Sequence, residues 1–347
     1  MQKLVSVLEK AGKPAEVYKS PDGTRLLVLP HGGRVLGLFA PNSEENFYWT
    51  NPALAAPESA RAFYASASWH NSGGDRTWLA PEVDVFLPAF PDLTHYFQPR
   101  QLDPGSFEVE KDGAGLRLGS RFTLRLSRSK AELDLALAKS VAPAPNPLRY
   151  ERGLNLAGLE YAGYTQQTSL AIVNPRRKTG QVGLWNLVQM PHPGELLVPT
   201  YFKASPKIVF GSIPSEDLAG SDHLLRYRMR QLGAHKLSIR AVATTGRVGY
   251  LFAQGGRWSL IVRNFAVNPS GEYVDVPWTD PEDRGYSTQA CNVNNELGSF
   301  NELEYHIPAV GGEGGPQRCE DTTQIWAFRG ERPAIASVVH HLLSPEM

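Results

Sequence analysis

Alternation of apolar and polar side chains at every second position constrains this chain more than any other feature. In Phe122-Thr123-Leu124-Arg125-Leu126, and again in Glu132-Leu133-Asp134-Leu135-Ala136-Leu137, every second residue is apolar. A period of two sends successive side chains to opposite faces of a strand, so each run suits a sheet with one buried and one wet face. The polar Ser127-Arg128-Ser129-Lys130 between them predicts an antiparallel hairpin. Similar runs bounded by Gly, Pro, Asn or Asp recur at residues 25–29, 107–110, 169–173, 236–242, 248–253 and 258–265, and Gly255-Gly256 marks the turn of a second hairpin. Helical patterning is confined to 5–11, closed by Gly12 and Pro14, and to 336–343, ahead of Pro345. The chain reads as all-β with short terminal helices.

No Gly/Ser linker, charge block or repeat divides the 347 residues, and the Pro-rich stretch at 142–147 is short enough for one inter-strand loop. A single domain over 1–347, built of two large antiparallel sheets with long loops, is the economical expectation. The 35 basic and 35 acidic side chains balance to +0, with arginines scattered among apolar residues, so no nucleic-acid partner is expected. The densest basic run, Arg176-Arg177-Lys178, reads as a solvated turn. No run approaches the ~18 apolar residues that span a bilayer. A soluble protein without a membrane partner follows, cytoplasmic, or periplasmic or secreted if a leader was removed. Cys291 and Cys319 lack metal-ligand spacing and read as unpaired thiols of a reducing compartment, with a bridge between them as the periplasmic alternative. No Asp-rich calcium loop is present, and no metal is expected.

Three segments concentrate chemistry. The first is Trp69-His70-Asn71-Ser72-Gly73-Gly74-Asp75-Arg76-Thr77-Trp78-Leu79-Ala80-Pro81-Glu82, read as a loop turned by its glycine pair. Trp69 and Trp78 suit the C–H faces of a sugar, while Asn71, Asp75, Arg76 and Glu82 suit its hydroxyls. In the second, Gly183 to Glu195, strand alternation sets Trp185, Leu187 and Gln189 on one face, and prolines hold His192 in a stiff turn at the strand end. In the third, Asn301 to Pro308, it sets Glu302, Glu304 and His306 on one face and Leu303, Tyr305 and Ile307 on the other. The apolar set claims the core, so the carboxylates face solvent or a cleft, where two neighbouring like charges raise one pKa toward use as a base.

The order of these features, a GGDRTWLAPE segment early, GLWNLVQMPHPGE in mid-chain and NELEYHIPAV late, resembles the galactose-mutarotase-like superfamily related to aldose 1-epimerases. The resemblance implies a β-supersandwich with a sugar cleft on one sheet face and no cofactor. In epimerases of that family a Glu base takes the anomeric hydroxyl proton and a His acid protonates the ring oxygen. Carried onto this chain, the base is Glu304, and the acid is His192 or His70. Trp69, Asn71, Asp75, Arg76, Trp78, Glu82, Trp185, Gln189, Glu302 and His306 are the substrate-binding candidates. The early segment departs from the Asn-then-His-Gly-Gly pattern of galactose mutarotases.

Three functions remain open at this stage. They are an aldose 1-epimerase-like isomerase, a noncatalytic carbohydrate-binding protein in the same cleft, and a glycoside hydrolase or polysaccharide lyase relative. For hydrolysis the available carboxyl pair is Glu82 and Glu304, which must flank the scissile bond.

Overall fold

The structure, a computed structural model, describes residues 1–113, 115–174, 180–344 and 346. Among these residues the strands form two ten-stranded sheets in which every pairing is antiparallel. The hairpin expected around 127–130 pairs Arg125 with Glu132, and the one around Gly255-Gly256 pairs Gln254 with Arg257. Both glycines of the second turn have positive φ, 58° and 79°, the backbone that glycine adopts without a Cβ penalty. The Arg176-Arg177-Lys178 turn lies outside the described residues.

Five adjacent strands make up the middle of the first sheet. In chain order they are β1 (Asp75–Ala80), β2 (Gln181–Met190), β3 (His235–Arg240), β4 (Tyr286–Asn295) and β5 (Gly298–His306). In space they run β1-β2-β5-β4-β3. The segment at 69–82, expected as a loop, therefore supplies a central strand. Gly73 and Gly74 admit it, with φ of 100° and 74°. A Cβ on Gly73 would lie 2.3 Å from the Trp49 carbonyl oxygen, and one on Gly74 would lie 2.4 Å from that of Val35. Only a bare backbone passes between these neighbours into the sheet.

The large core joins the two sheets, with Leu79, Val188, Leu303 and Ala290 from the first meeting Leu137, Leu170, Ile261 and Ala327 from the second. A polar layer is embedded in it. Asp75 pairs with Arg263 and accepts a hydrogen bond from the Tyr164 hydroxyl at 2.6 Å, while Asn186 holds Thr77 Oγ1 at 2.6 Å and Tyr305 Oη at 2.9 Å. Helices Gln2–Lys10 and Pro57–Ala65 bury the edge strands of the first sheet around Leu27, Leu36 and Phe39. Helix Arg332–Leu342 covers Leu260, Val262 and Phe328 of the second. The terminal helices match expectation in place, and helix Pro57–Ala65 was not foreseen.

Cys291 lies on β4 of the first sheet and Cys319 on Arg318–Gly330 of the second, both as free thiols. The alternative of a bridge between them is corrected. Among the described residues no helix is long and apolar enough to cross a membrane.

Candidate functional site

The face of the first sheet turned away from the second gathers a buried ionisable cluster. Register fixes its membership. Trp78 of β1 opposes Trp185 of β2, while Trp185, Leu187 and Gln189 oppose His306, Glu304 and Glu302 of β5. Glu302 and Glu304 in turn oppose Cys291 and Gln289 of β4, which oppose Lys236 and Ser238 of β3. Directly opposed residues share a face, so this row of side chains runs across five strands.

Glu304 sits at its centre, fully buried. Its Oε2 accepts from Trp185 Nε1 at 2.8 Å and lies 3.2 Å from Lys236 Nζ, whereas its Oε1 has no protein partner among the described residues. Lys236 also lies 3.2 Å from Glu82 Oε2 and 3.8 Å from Asp275 Oδ2, with its ammonium 4.2 Å from the centre of the Trp185 ring. Burial, reinforced by Glu302, Glu82 and Asp275 against the opposing pull of Lys236, raises the Glu304 carboxyl to about 8. Burial works against the charge of Lys236, but Glu304, Glu82 and Asp275 outweigh it and hold the ammonium well above the usual lysine range.

Glu302 is bound by Arg76 Nη2 at 2.8 Å and Gln189 Nε2 at 2.9 Å. The Arg76 guanidinium stacks on Trp78 at 4.1 Å and reaches Trp69 at 5.0 Å, and its Nε and Nη1 have no hydrogen-bond partner among the described residues. His306 stacks on Trp185 with centroids 5.5 Å apart, and neither ring nitrogen makes a hydrogen bond among the described residues. Burial, and then Lys236, push the imidazole well below its ordinary value.

Two loops roof this face. Tyr96 donates to Glu82 Oε1 at 2.7 Å and Trp278 Nε1 donates to Glu82 Oε2 at 2.9 Å, while Asp275 accepts from the Glu82 amide at 2.7 Å. Rings continue the cover from Trp78 to Phe86 at 4.5 Å, Phe86 to Tyr96 at 5.6 Å, Tyr96 to Trp278 at 5.8 Å and Trp278 to Phe210 at 5.0 Å.

Of the residues singled out in the sequence, Arg76, Trp78, Glu82, Trp185, Gln189, Glu302, Glu304 and His306 meet here, with Trp69 at the margin. The others lie elsewhere. Alternation along β1 turns Asp75 inward to Arg263, because its neighbour Arg76 faces out. His70 packs against helix Pro57–Ala65, its Nδ1 3.0 Å from His31 Nε2 and its Nε2 3.1 Å from the Ser66 carbonyl. Asn71 reaches the Leu297 carbonyl at 3.4 Å. His192 lies past the end of β2 with Nε2 3.0 Å from the Val293 carbonyl; the strand's last residue, Met190, is already three positions, or about 10 Å, beyond Leu187, which opposes Glu304. Neither candidate acid reaches Glu304, so the assignment of that role to His192 or His70 is withdrawn.

Lys236, Asp275, Trp278, Tyr96 and Gln289 were not anticipated. Lys236 opens a run recognised as a strand, and its face follows only from the pairing of β3 with β4. Asp275 and Trp278 come from irregular chain that carries no periodic signal.

Cys291, Glu302 and Glu304 bring one ligand atom each within 4.8 Å of one another, the spacing of a metal cradle. Arg76 and Lys236 already hold the two carboxylates, which competes with a cation there. For glycoside hydrolysis Glu82 and Glu304 would have to flank a sugar bond, but Lys236 bridges them at 3.2 Å from each and fills that space.

No family model and no curated protein matches the chain in sequence. Among solved structures it is similar to galactose mutarotase and aldose epimerase proteins. A galactose mutarotase related enzyme from Lactobacillus acidophilus aligns at 10% identity over 90% of this chain and 96% of its own, with a TM-score of 0.48. Galactose 1-epimerase from the same organism aligns at 9% identity over 92% and 95%, with a TM-score of 0.43. A GalM/aldose epimerase homologue from C. elegans aligns at 7% identity over 92% and 100%, with a TM-score of 0.39. At these identities and scores the likeness concerns the course of the chain and carries nothing about its side chains.

Proposed function

We propose that the roofed face of the first sheet binds a sugar and moves protons on it, as an aldose 1-epimerase-like isomerase that needs no cofactor. One observation carries the reading. A proton-bearing carboxyl, Glu304, is held by one oxygen and free at the other, within a set of buried donors and acceptors that lack protein partners. That set includes Arg76 Nε and Nη1, Gln189 Oε1, both amide atoms of Gln289 and both ring nitrogens of His306. Buried polar atoms without partners are costly, and a polyhydroxylated ring offers donors, acceptors and apolar C–H faces to match them and the indoles of Trp78, Trp185 and Trp278. Admission of the ring requires the Tyr96 and Trp278 contacts to Glu82 to part.

The test is anomer interconversion of D-galactose, D-glucose, D-xylose, L-arabinose and D-galacturonate, followed by polarimetry and by NMR exchange of the anomeric protons. Wild type is expected to accelerate at least one sugar over buffer, and Glu304→Gln, with the fold intact, to lose about 10²–10⁴ of that rate. Saturable binding of a sugar with no acceleration would leave a carbohydrate-binding protein. An active Glu304→Gln would remove Glu304 from the chemistry.

A further inference from the structure

Between them, His192, His70 and Glu304 leave the site with one proton-transfer group and no partner for it. Anomerisation requires two, since one proton leaves the anomeric hydroxyl as another reaches the ring oxygen. His306 occupies the place a partner would need. It lies two residues from Glu304 on β5, so both side chains project from the same face, and its ring is aligned by stacking on Trp185. It is 1% exposed, and among the described residues neither of its nitrogens has a hydrogen-bond partner. A buried imidazole in a structural role ordinarily has at least one nitrogen bonded.

Resting on the sugar-anomerising reading above, we propose that His306 is the base of this site, taking the anomeric hydroxyl proton while Glu304 delivers its own proton to the ring oxygen. In ring opening the O1–H bond breaks toward a ring nitrogen of His306 and its electron pair forms the C1=O1 bond. The C1–O5 bond breaks at the same time, and O5 takes the proton of the Glu304 carboxyl. The open-chain aldehyde rotates about C1–C2, and the reverse transfers close the opposite anomer. No other reactant is consumed.

The charges that develop are the ones the surroundings favour. Opening turns His306 into an imidazolium and Glu304 into a carboxylate. Asp275 Oδ2 stands 3.8 Å from His306 Nε2, and Lys236 Nζ and Trp185 Nε1–H stand 3.2 Å and 2.8 Å from Glu304 Oε2. A carboxylate behind the imidazole and a cation behind the carboxyl stabilise the ion pair more than the neutral ground state, which is the requirement for lowering a barrier. The resting protonation agrees, since Glu304 at about 8 keeps its proton near neutrality and His306 keeps a lone pair. The groups bearing on His306 are Asp275 from the roof loop, Lys236 from β3, Glu304 from its own strand and Glu82 next to Lys236.

The experiment compares wild type, His306→Gln and Asp275→Asn on whichever sugar of the panel wild type anomerises, with kcat and KM measured across pH and folding checked by thermal melting. His306→Gln is expected to lose about 10²–10³ in kcat with KM within about threefold, and to lose the acidic limb of the pH profile while keeping the alkaline limb. Asp275→Asn is expected to move that acidic limb to lower pH, because the imidazolium loses its counter-charge. A His306→Gln enzyme within about threefold of wild-type kcat, or one that keeps the acidic limb, overturns the assignment while the anomerase reading stands. A loss of melting temperature with kcat falling and KM rising well beyond threefold also overturns it, in favour of a structural histidine. A wild type inactive on every sugar takes down the anomerase reading itself.

Discussion

Glu304→Gln carries a stability signature that is independent of any substrate. The Glu304 carboxyl is raised from 4.5 to about 8 in the folded chain, chiefly by burial. Such a group binds its proton more tightly folded than unfolded. Its contribution is therefore intact below 4.5 and is lost as the pH climbs through 8. Each pH unit across that window is worth about 1.4 kcal/mol, so wild type should lose ~4–5 kcal/mol relative to a variant with a neutral amide at this position. Titrating groups outside this cluster are shared by the two proteins and cancel in the comparison. Urea unfolding of both at pH 5, 6, 7, 8 and 9 measures it. The difference in unfolding free energy should move steadily in favour of Glu304→Gln up to pH 8 and level off beyond. A difference that is flat with pH, or one in which wild type gains as pH rises from 4, would show that the Lys236 ion pair dominates burial, and the reasoning about Glu304 would fall.

Asp75→Asn strands the Arg263 guanidinium between the sheets and should cost about 3–5 kcal/mol in denaturant unfolding. Gly74→Ala places a Cβ 2.4 Å from the Val35 carbonyl oxygen at a φ of 74°, and a loss of about 3 kcal/mol is expected in the same assay. Glu82→Gln leaves one acceptor oxygen where Tyr96 uses Oε1 and Trp278 and Lys236 share Oε2, so chymotrypsin should cut the loops at 86–107 and 266–285 faster than in wild type while the sheets stay resistant. Cys291, whose thiol burial and the nearby Glu302 and Glu304 push well above its ordinary value, should react with a disulfide reagent at neutral pH only after denaturation.

The fold was legible where one sheet face is wet. Arg125 and Leu126 in the first hairpin, and the Glu302, Glu304 and His306 set against Leu303 and Tyr305 on β5, announce strands because polar and apolar residues alternate. β1 escaped that reading, since Asp75, Arg76, Thr77 and Trp78 are polar or aromatic on both faces, and all of them are buried. The inward Asp75 is paired from the second sheet, and a pairing between residues 188 positions apart leaves no local trace. The same limit applied to the site. β5 alone yielded Glu304 and His306, but the cation between Glu304, Glu82 and Asp275 depended on β3 lying across β4, and the histidines chosen as acid were judged by their turns without regard to their distance from Glu304.

What separates the two polar layers flanking the first sheet is charge balance. Between the sheets, the acids Asp75 and Asp321 are matched by Arg263 and Lys139, all buried. On the roofed face, Glu82, Asp275, Glu302 and Glu304 share two cations, Lys236 and Arg76. A matched layer locks the sheets together with each acid paired or hydrogen-bonded. An unmatched one, buried where water cannot relieve it, favours a proton on one of its acids, and the acid raised by full burial and three like-charged neighbours is Glu304. Alternation along β1 places Asp75 in the matched layer and Arg76 in the unmatched one, one residue apart, so the same strand serves as scaffold on one side and as the floor of a proton-transfer site on the other.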